Sequence, residues 1–326
     1  MPLFVKRLTL ALFFLAACAI SATASNINAI YAFGDSLSDA GNAFIATSGA
    51  IPGPPYVNGE FSNGPVWVQD LAKSLNLPAV TASIPGGTDY AVGGAISGNL
   101  PFVAAGAGDL PSQLAAFHTA NPVANANGLY TIWIGSNDLD SILAKDPAHA
   151  ATDAAAVVAN IDFAINTLAG DGAKNFLVLT VPDLGKTPDA IAAGAGAAAS
   201  LLAADFDNLL VNGAGPIPSL NALAGADSIH LNVLDTYSLL DGVVADPAAY
   251  GFSNVTQPCY NIALNTVCAN PNQYLSWDGL HPTAAGHEII ATAAFQLVAP
   301  EPATLALLAI GILGLSVKRW RGRLLN

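Results

Sequence analysis

A serine, an aspartate and a histidine stand in two short polar motifs that lie far apart in the chain. Ser36 closely follows an apolar segment, within Gly34-Asp35-Ser36-Leu37, while Asp278 and His281 lie three residues apart near the end of the globular part. A serine hydroxyl becomes a good nucleophile only when a base removes its proton, and that base needs a third group to fix its tautomer. The two motifs therefore predict Ser36 as nucleophile, His281 as base and Asp278 as the orienting acid.

Two further segments carry groups that can bind a developing negative charge. Gly93 and Gly94 offer backbone N–H groups with no side chain in the way, and Asn137 offers an uncharged amide donor. Donors of this kind stabilise the oxyanion of acyl transfer, and losing one typically slows the reaction by about 10²–10³-fold. Glycine pairs also occur in loops that simply need positive φ, so the role of this pair depends on its placement.

The elements that must position these groups alternate along the chain. The candidate strands are 29–33, 88–92, 129–134, 176–181 and 229–234, and the candidate helices are 65–75, 110–119, 152–168, 195–211 and 283–297. Strands separated by helices predict a parallel sheet that is covered on both faces. Because the alternation continues without a linker, we expect one α/β domain over residues 25–299.

Three of the candidate strands end in polar or glycine-rich turns, at 34–36, 93–95 and 135–138. Active sites of open α/β sheets lie outside the carboxyl ends of the strands. Since parallel strands bring these ends to the same edge, we expect the serine and the oxyanion donors to share one site.

Composition excludes one class of partner. Six of the ten lysines and arginines lie in the terminal segments, so the body retains four lysines and no arginine against 22 of the 23 acidic residues. A body this acidic repels nucleic acid and anionic lipid surfaces. We therefore expect no nucleic-acid partner.

The N-terminus has the pattern of a secretory signal peptide. Lys6 and Arg7 precede a short apolar run, and the small residues 22–24 form a cleavage site, which predicts a signal peptide over residues 1–24. An alternative stays open, because residues 15–18 also fit a lipoprotein cleavage box in which Cys18 would be lipidated.

The C-terminus, residues 300–326, contains Pro300-Glu301-Pro302, an apolar run over 303–317 and a basic cluster. Fifteen apolar residues as a helix reach about 22 Å, short of the roughly 30 Å hydrocarbon core of a bilayer. One interpretation is a short membrane-spanning anchor with the body outside. The three parts in this order resemble the PEP-CTERM sorting signal of bacterial envelope proteins, which implies recognition and removal of the tail by an exosortase-type transpeptidase.

Cys259 and Cys268 remain as a pair if Cys18 leaves with the signal peptide. An exported protein favours a disulfide between them, which would steady the loop before Asp278. A metal site is the alternative interpretation, but the chain offers no histidine or third cysteine at ligand spacing.

Taken together, these motifs resemble the SGNH/GDSL family of serine hydrolases. Residues 34–37, Gly94, 135–138 and 278–281 match its four blocks in order, and 61–67 and 89–95 are similar to its lipase-like branch. Asp89 departs from the pattern, since the family often has asparagine there. The resemblance implies a three-layer α/β/α sandwich with a flavodoxin-like, five-stranded parallel sheet.

The resemblance also implies the roles of the site residues. Ser36 would be the nucleophile, His281 the base and later the acid for the leaving group, and Asp278 its orienting partner. The oxyanion hole would combine the N–H groups of Ser36 and Gly94 with the side chain of Asn137, with Gly93 as the alternative to Gly94.

These observations predict an exported carboxylic ester hydrolase of the esterase or lipase type, which acts through an acyl-serine intermediate without metal or cofactor. Its expected partners are a small-molecule or lipid ester and an exosortase-type enzyme. We expect it in the bacterial cell envelope or outside the cell, with C-terminal membrane anchoring as the alternative. Three other functions stay open: deacetylation of envelope polysaccharide, acyl transfer to an acceptor other than water, and surface display of a non-catalytic binding protein.

Overall fold

Four parallel strands form the central sheet of the structure, a computed structural model that describes residues 27–299. They are β1 (Ala29–Gly34), β2 (Gly128–Trp133), β3 (Asn175–Leu179) and β4 (His230–Leu234), and they lie side by side in that order. A separate antiparallel hairpin pairs β5 (Tyr260–Asn261) with β6 (Thr266–Val267). The predicted parallel α/β architecture is therefore confirmed.

Helices connect the strands and flank the sheet. They are α1 (Asn42–Ala46), α2 (Trp67–Ser74), α3 (Leu110–Ala120), α4 (Ser136–Lys145), α5 (Ala150–Gly170), α6 (Pro188–Ala193), α7 (Gly196–Asn212), α8 (Leu220–Asp227), α9 (Thr236–Ala245) and α10 (Ala284–Val298). Single 3₁₀ turns occur at Pro147–His149, Leu184–Lys186, Pro247–Tyr250 and Pro271–Gln273.

Of the five predicted strands, the segment 88–92 is reduced to a single bridge on the outer side of β1. Asp89 pairs in parallel with Ala32, and backbone hydrogen bonds join Thr88 and Tyr90 to the same residue at 3.0 and 2.7 Å. When the segment 88–92 is counted as the second strand along the chain, the strands lie across the sheet in the order 2-1-3-4-5. This is the flavodoxin-like order. The order was predicted correctly, but the regular pairing of this edge segment is shorter than expected.

Alternating side chains of the strands pack into two separate cores, as the pleat of a strand requires. On one face, Phe33, Ile132 and Phe176 pack with helices α3, α4, α5, α7 and α8. On the other face, Ile30 and Leu177 pack with α2 and α10. The two apolar layers make the predicted three-layer α/β/α sandwich.

A buried glutamine fixes the end of β1, from which the serine loop departs. Gln113 on α3 accepts a hydrogen bond from the N–H of Gly34 at 2.9 Å and donates to the carbonyl oxygens of Gly34 and Gly108 at 2.7 Å each. A Cβ atom at Gly34 would lie 2.2 Å from the carbonyl oxygen of Trp133 on β2. Glycine is therefore needed here because the two strands approach too closely for a side chain.

Several buried carboxyl groups organise the loops around the sheet. Asp39, Asp89 and Asp138 are fully buried, and Asp207 is nearly so. Burial raises the pKa of all four, to about 7 for Asp138 and about 8 for Asp207. One oxygen of Asp207 accepts from the N–H of Val181 at 2.8 Å, whereas the other has no partner within residues 27–299.

Several sequence predictions lie outside the described residues. They are the signal peptide over 1–24, the alternative lipidation at Cys18 and the apolar run over 303–317. Within residues 27–299, no helix has both the length and the apolar character needed to cross a bilayer.

Replacing Gln113 by leucine is predicted to destabilise the fold. The substitution keeps the side chain's bulk but leaves the buried N–H of Gly34 without a partner and removes one donor each from the carbonyl oxygens of Gly34 and Gly108. Together these losses cost about 3 kcal/mol. Urea unfolding measures the difference. The control is Thr119→Ala on the exposed side of the same helix, which should cost less than about 0.5 kcal/mol. Equal stability of both variants would contradict the role of Gln113.

Stability is predicted to fall as the pH rises from about 4 to about 8. The folded state keeps protons on buried carboxyls such as Asp207 that the unfolded chain releases near its ordinary pKa of 3.8, so raising the pH favours unfolding. Asp207→Asn should remove about 3 to 4 kcal/mol of this loss between pH 5 and pH 8. Asp205→Asn, at an exposed position on the same helix, is the control. Denaturant midpoints that rise with pH would contradict the prediction.

Candidate active site

Ser36 lies in a tight turn directly after β1. The backbone N–H groups of Ser38 and Asp39 both donate to the carbonyl oxygen of Asp35 at 3.1 Å, and the N–H of Leu37 donates to its carboxylate at 2.9 Å. These bonds make one helix-like turn that does not continue as a helix. The turn leaves Ser36 largely buried, with its hydroxyl group on the wall of a cavity.

The structure brings the three predicted residues of the triad together across 245 positions of the chain. Oγ of Ser36 lies 2.8 Å from Nε2 of His281, and Nδ1 of His281 lies 2.7 Å from Oδ2 of Asp278. A carboxylate only accepts hydrogen bonds, so Nδ1 carries the ring proton and Nε2 has a free lone pair. This tautomer is the one that can accept the proton of a serine hydroxyl.

Asp278 is held as a charged carboxylate by several donors. Its Oδ1 accepts from the N–H groups of Leu280 and His281 at 2.8 and 2.7 Å, and its Oδ2 accepts from the hydroxyl of Tyr56 at 2.6 Å. Burial alone would raise the pKa of Asp278, but the charge of His281 and these hydrogen bonds outweigh it and lower the pKa to about 2. The acid is therefore ionised wherever the histidine has to act as a base.

Tyr56 is a site residue that the sequence did not reveal. It lies 222 positions from Asp278, in a proline-rich loop with no motif that marks a partner for the acid. Its ring packs edge-on against Trp277 and Tyr260, with centroid distances of 6.2 and 5.7 Å. The aromatic contacts place the hydroxyl against Asp278.

The predicted disulfide between Cys259 and Cys268 is present and closes the hairpin beside the acid and base loop. The N–H of Cys259 donates to Ser276 at 3.0 Å, and the N–H of Trp277 donates to His281 at 2.7 Å. The stacked rings of Tyr260 and Trp277 add a second contact between hairpin and loop. The disulfide therefore supports the segment that carries Asp278 and His281, as the sequence suggested.

The candidate oxyanion donors are not equivalent in the structure. The N–H of Gly93 already donates to the carboxylate of Asp39 at 2.7 Å, whereas the N–H of Gly94 has no partner within residues 27–299. Gly94 also has φ +82° and open space where a side chain would stand. Of the two glycines, Gly94 is the one with a free donor.

Asn137 stands in the first turn of α4, and its side chain lines the same cavity as Ser36. Its amide donates to the carbonyl oxygen of Ala95 at 2.9 Å. An amide has two N–H bonds, so a second donor remains for a ligand after this bond is made. The bond to Ala95 links Asn137 to the loop that carries Gly94.

Two buried titratable groups near the site were not assigned from sequence. Burial raises the pKa of Asp35 to about 7, and its Oδ2 has no partner within residues 27–299. Burial lowers the pKa of His287 to about 3, so this ring is neutral, and its Nδ1 accepts from the N–H of Trp67 at 3.3 Å. His287 therefore joins α10 to α2 and has no contact that makes it a second base.

Two cavities meet at His281. The first has a volume of about 80 Å³ and is lined by Ser36 and Asn137 together with apolar side chains such as Trp133, Leu184 and Leu240. The second has a volume of about 300 Å³ and is lined by Asp278, Tyr56 and Phe61. Leu280 and His281 line both cavities, so the histidine ring stands where they adjoin.

Comparisons with known proteins agree with this geometry. The model of the GDSL-like lipase/acylhydrolase family matches residues 30–294, and the PEP-CTERM protein-sorting motif matches residues 298–321. The predicted resemblances of the domain to the SGNH/GDSL family and of the C-terminus to the PEP-CTERM signal are thus confirmed. The sorting motif is typical of proteins exported to the cell envelope.

The chain is also similar to individual proteins. Thermolabile hemolysin of Vibrio parahaemolyticus is 30% identical over 81% of this chain and 62% of its own length. Phosphatidylcholine-sterol acyltransferase of Aeromonas hydrophila is 31% identical over 71% of this chain and 65% of its length. The chain thus spans just under two thirds of these two relatives.

Among solved structures, the chain is similar to LAE5, an alpha/beta hydrolase enzyme from the metagenome of Lake Arreo, Spain. The identity is 15% and the TM-score is 0.46, with coverage of 83% of this chain and 96% of LAE5. The family match runs from β1 to the last helix and includes every residue placed at the site above. The chain belongs to the GDSL-like lipase/acylhydrolase family.

Proposed function

We propose that this protein is an exported serine hydrolase of carboxylic esters. The observation that carries the proposal is the short chain of contacts from the Ser36 hydroxyl through the His281 ring to the Asp278 carboxylate. Ser36 is the nucleophile, His281 the general base and acid, and Asp278 the group that fixes the tautomer. The family's description as lipases and acylhydrolases supports the same chemistry.

In the proposed reaction, His281 accepts the proton of Ser36 as Oγ attacks the carbonyl carbon of the ester. The carbonyl oxygen becomes an oxyanion, which the N–H groups of Ser36 and Gly94 and the amide of Asn137 stabilise. The C–O bond to the alcohol then breaks, and the alcohol oxygen takes the proton from His281. A water molecule, deprotonated by His281, releases the acid from the acyl-serine and restores the hydroxyl.

The first cavity supports an acyl ester as substrate. It places apolar side chains next to Ser36, so it offers an apolar surface for the acyl group. Asp140, Asp183 and Asp241 also line this cavity, and Lys186 is the one lysine or arginine of residues 27–299 that lines it. This charge balance disfavours anionic esters.

Acyl transfer is the second candidate function, because one relative is named an acyltransferase. It uses the same acyl-serine and differs only in the second step, in which an alcohol instead of water attacks. Adding an alcohol acceptor to the hydrolysis assay separates the two functions, since transfer yields a new ester in place of the free acid.

Export follows from the sorting motif that covers residues 298–321. We propose that an exosortase-type enzyme recognises this segment and removes the tail, and that the predicted signal peptide over residues 1–24 directs the chain across the membrane. Intact mass of the mature protein tests both cleavages. A mature chain that keeps residues 303–317 would instead support the membrane anchor.

Replacement of Ser36 by alanine is predicted to lower kcat/KM for a short-chain chromogenic ester by at least about 10³-fold and to abolish labelling by a fluorophosphonate probe. The first cavity is also lined by Ser136 and Ser276, which makes Ser136→Ala a matched control. The control should keep its label. Labelling that survives in Ser36→Ala and disappears in Ser136→Ala would refute the nucleophile assignment.

Replacement of Asn137 by alanine is predicted to lower kcat by about 10²–10³-fold with little change in KM, because the lost hydrogen bond forms mainly in the transition state. Steady-state kinetics on the same chromogenic ester measure the effect. The oxyanion assignment fails if KM rises while kcat stays at the wild-type value.

A further inference from the structure

The second cavity adjoins the first at His281, yet it contains neither the nucleophile nor an oxyanion donor. Ser36 and Asn137 line only the first cavity, whereas the second is reached from the catalytic centre through His281 and Leu280. A part of the substrate bound in the second cavity would therefore lie next to His281 and outside the first cavity. The leaving alcohol, which receives the proton of His281, is the part of the substrate that must lie next to this ring.

Exposed apolar side chains from three separate segments line the second cavity. Ile51 is 53% exposed, Ile262 is 61% exposed and Leu280 is 43% exposed. Single exposed apolar residues are common on any surface, but several on the wall of one cavity indicate a binding site for an apolar group.

The hairpin that carries Ile262 is held against the catalytic loop. Ile262 lies in the turn between β5 and β6, which the disulfide between Cys259 and Cys268 closes. The N–H of Tyr260 donates to the carbonyl oxygen of Trp277 at 2.6 Å. These contacts fix the position of Ile262, and with it this apolar wall of the cavity, relative to His281.

The charges around the cavity restrict what can bind. Its two carboxylates are Asp189 and Asp278, and no lysine or arginine within residues 27–299 lines it. Asp278 is already engaged with His281 and Tyr56. An anionic moiety would meet only carboxylates, while an uncharged apolar one would meet Ile51, Ile262 and Phe61.

We propose that the second cavity binds the alcohol moiety of the ester and selects esters of bulky, uncharged, apolar alcohols. The inference rests on the proposed function. When the tetrahedral intermediate collapses, the bond from the carbonyl carbon to the alcohol oxygen breaks, its electron pair stays on that oxygen, and His281 Nε2 supplies the proton. The alcohol oxygen must therefore face His281, and the carbon skeleton attached to it extends into the cavity that this ring borders.

The test compares two butyrate esters of primary alcohols, methyl butyrate and cyclohexylmethyl butyrate, at concentrations where both are monomeric. The wild type should have the higher kcat/KM for the cyclohexylmethyl ester. Ile262→Ser should lower the ratio of the two kcat/KM values by about tenfold, because it removes apolar contacts made only with the bulky alcohol. Ile51→Ser should shift the ratio in the same direction.

The matched control is Leu264→Ser, since Leu264 lies in the same turn and is 70% exposed but does not line the cavity. It should keep the wild-type ratio. A wild-type ratio in both Ile262→Ser and Ile51→Ser would overturn the proposal. A changed preference of these variants between methyl butyrate and methyl octanoate would also overturn it, because it would place the acyl chain in the second cavity. In these cases ester hydrolysis persists, whereas failure of the proposed function leaves wild-type protein inactive on every ester.

Discussion

The hydrogen bond between the Ser36 hydroxyl and Nε2 of His281 is the contact on which the account of this protein depends. It joins residues 245 positions apart, so most of the domain lies between the two partners in the chain. The sheet fixes one partner, because Ser36 follows β1 in a turn anchored by Gln113 and by the close approach of β2 at Gly34. The disulfide-closed hairpin and the aromatic cluster around Tyr56 fix the other. Neither partner relies on a free loop, and a preorganised site needs no reorganisation when charge develops.

Buried acids support this arrangement at a cost in stability. Asp39 accepts backbone N–H bonds from both Gly41 and Gly93, so one carboxyl group joins the segments that hold Ser36 and Gly94. Asp89 does the same for Ala40 and Ala91. Burial raises the pKa of both, and each charged carboxylate would be expensive without its donors. Asp89 stands where the family often has asparagine, and its two carboxyl oxygens accept the N–H groups of Ala40 and Ala91.

Much of the fold and of the site was predictable because it has a local signal. The strands at β1, β2 and β4 were predicted to within one residue at each end, and helix α3 to within one, since apolar periodicity and flanking turns mark them. Helices α4 and α9 were missed because they start directly at strand ends with short polar turns. Tyr56 was missed for a different reason: its hydrogen bond to Asp278 arises from tertiary packing and leaves no mark on the surrounding sequence. The sequence predicted Gly94 with Gly93 as the alternative, and the contact between Gly93 and Asp39 is a tertiary feature that could not be read from it.

The proposed reaction requires a transient ester on Ser36. Rapid acid quench of the reaction with a short-chain ester, followed by peptide mass spectrometry, measures this ester directly. We expect the peptide containing Ser36 to gain the mass of the acyl group and His281→Gln to abolish this adduct. An adduct on Ser136 or Ser276, or steady hydrolysis with no acylated peptide at any quench time, would contradict it.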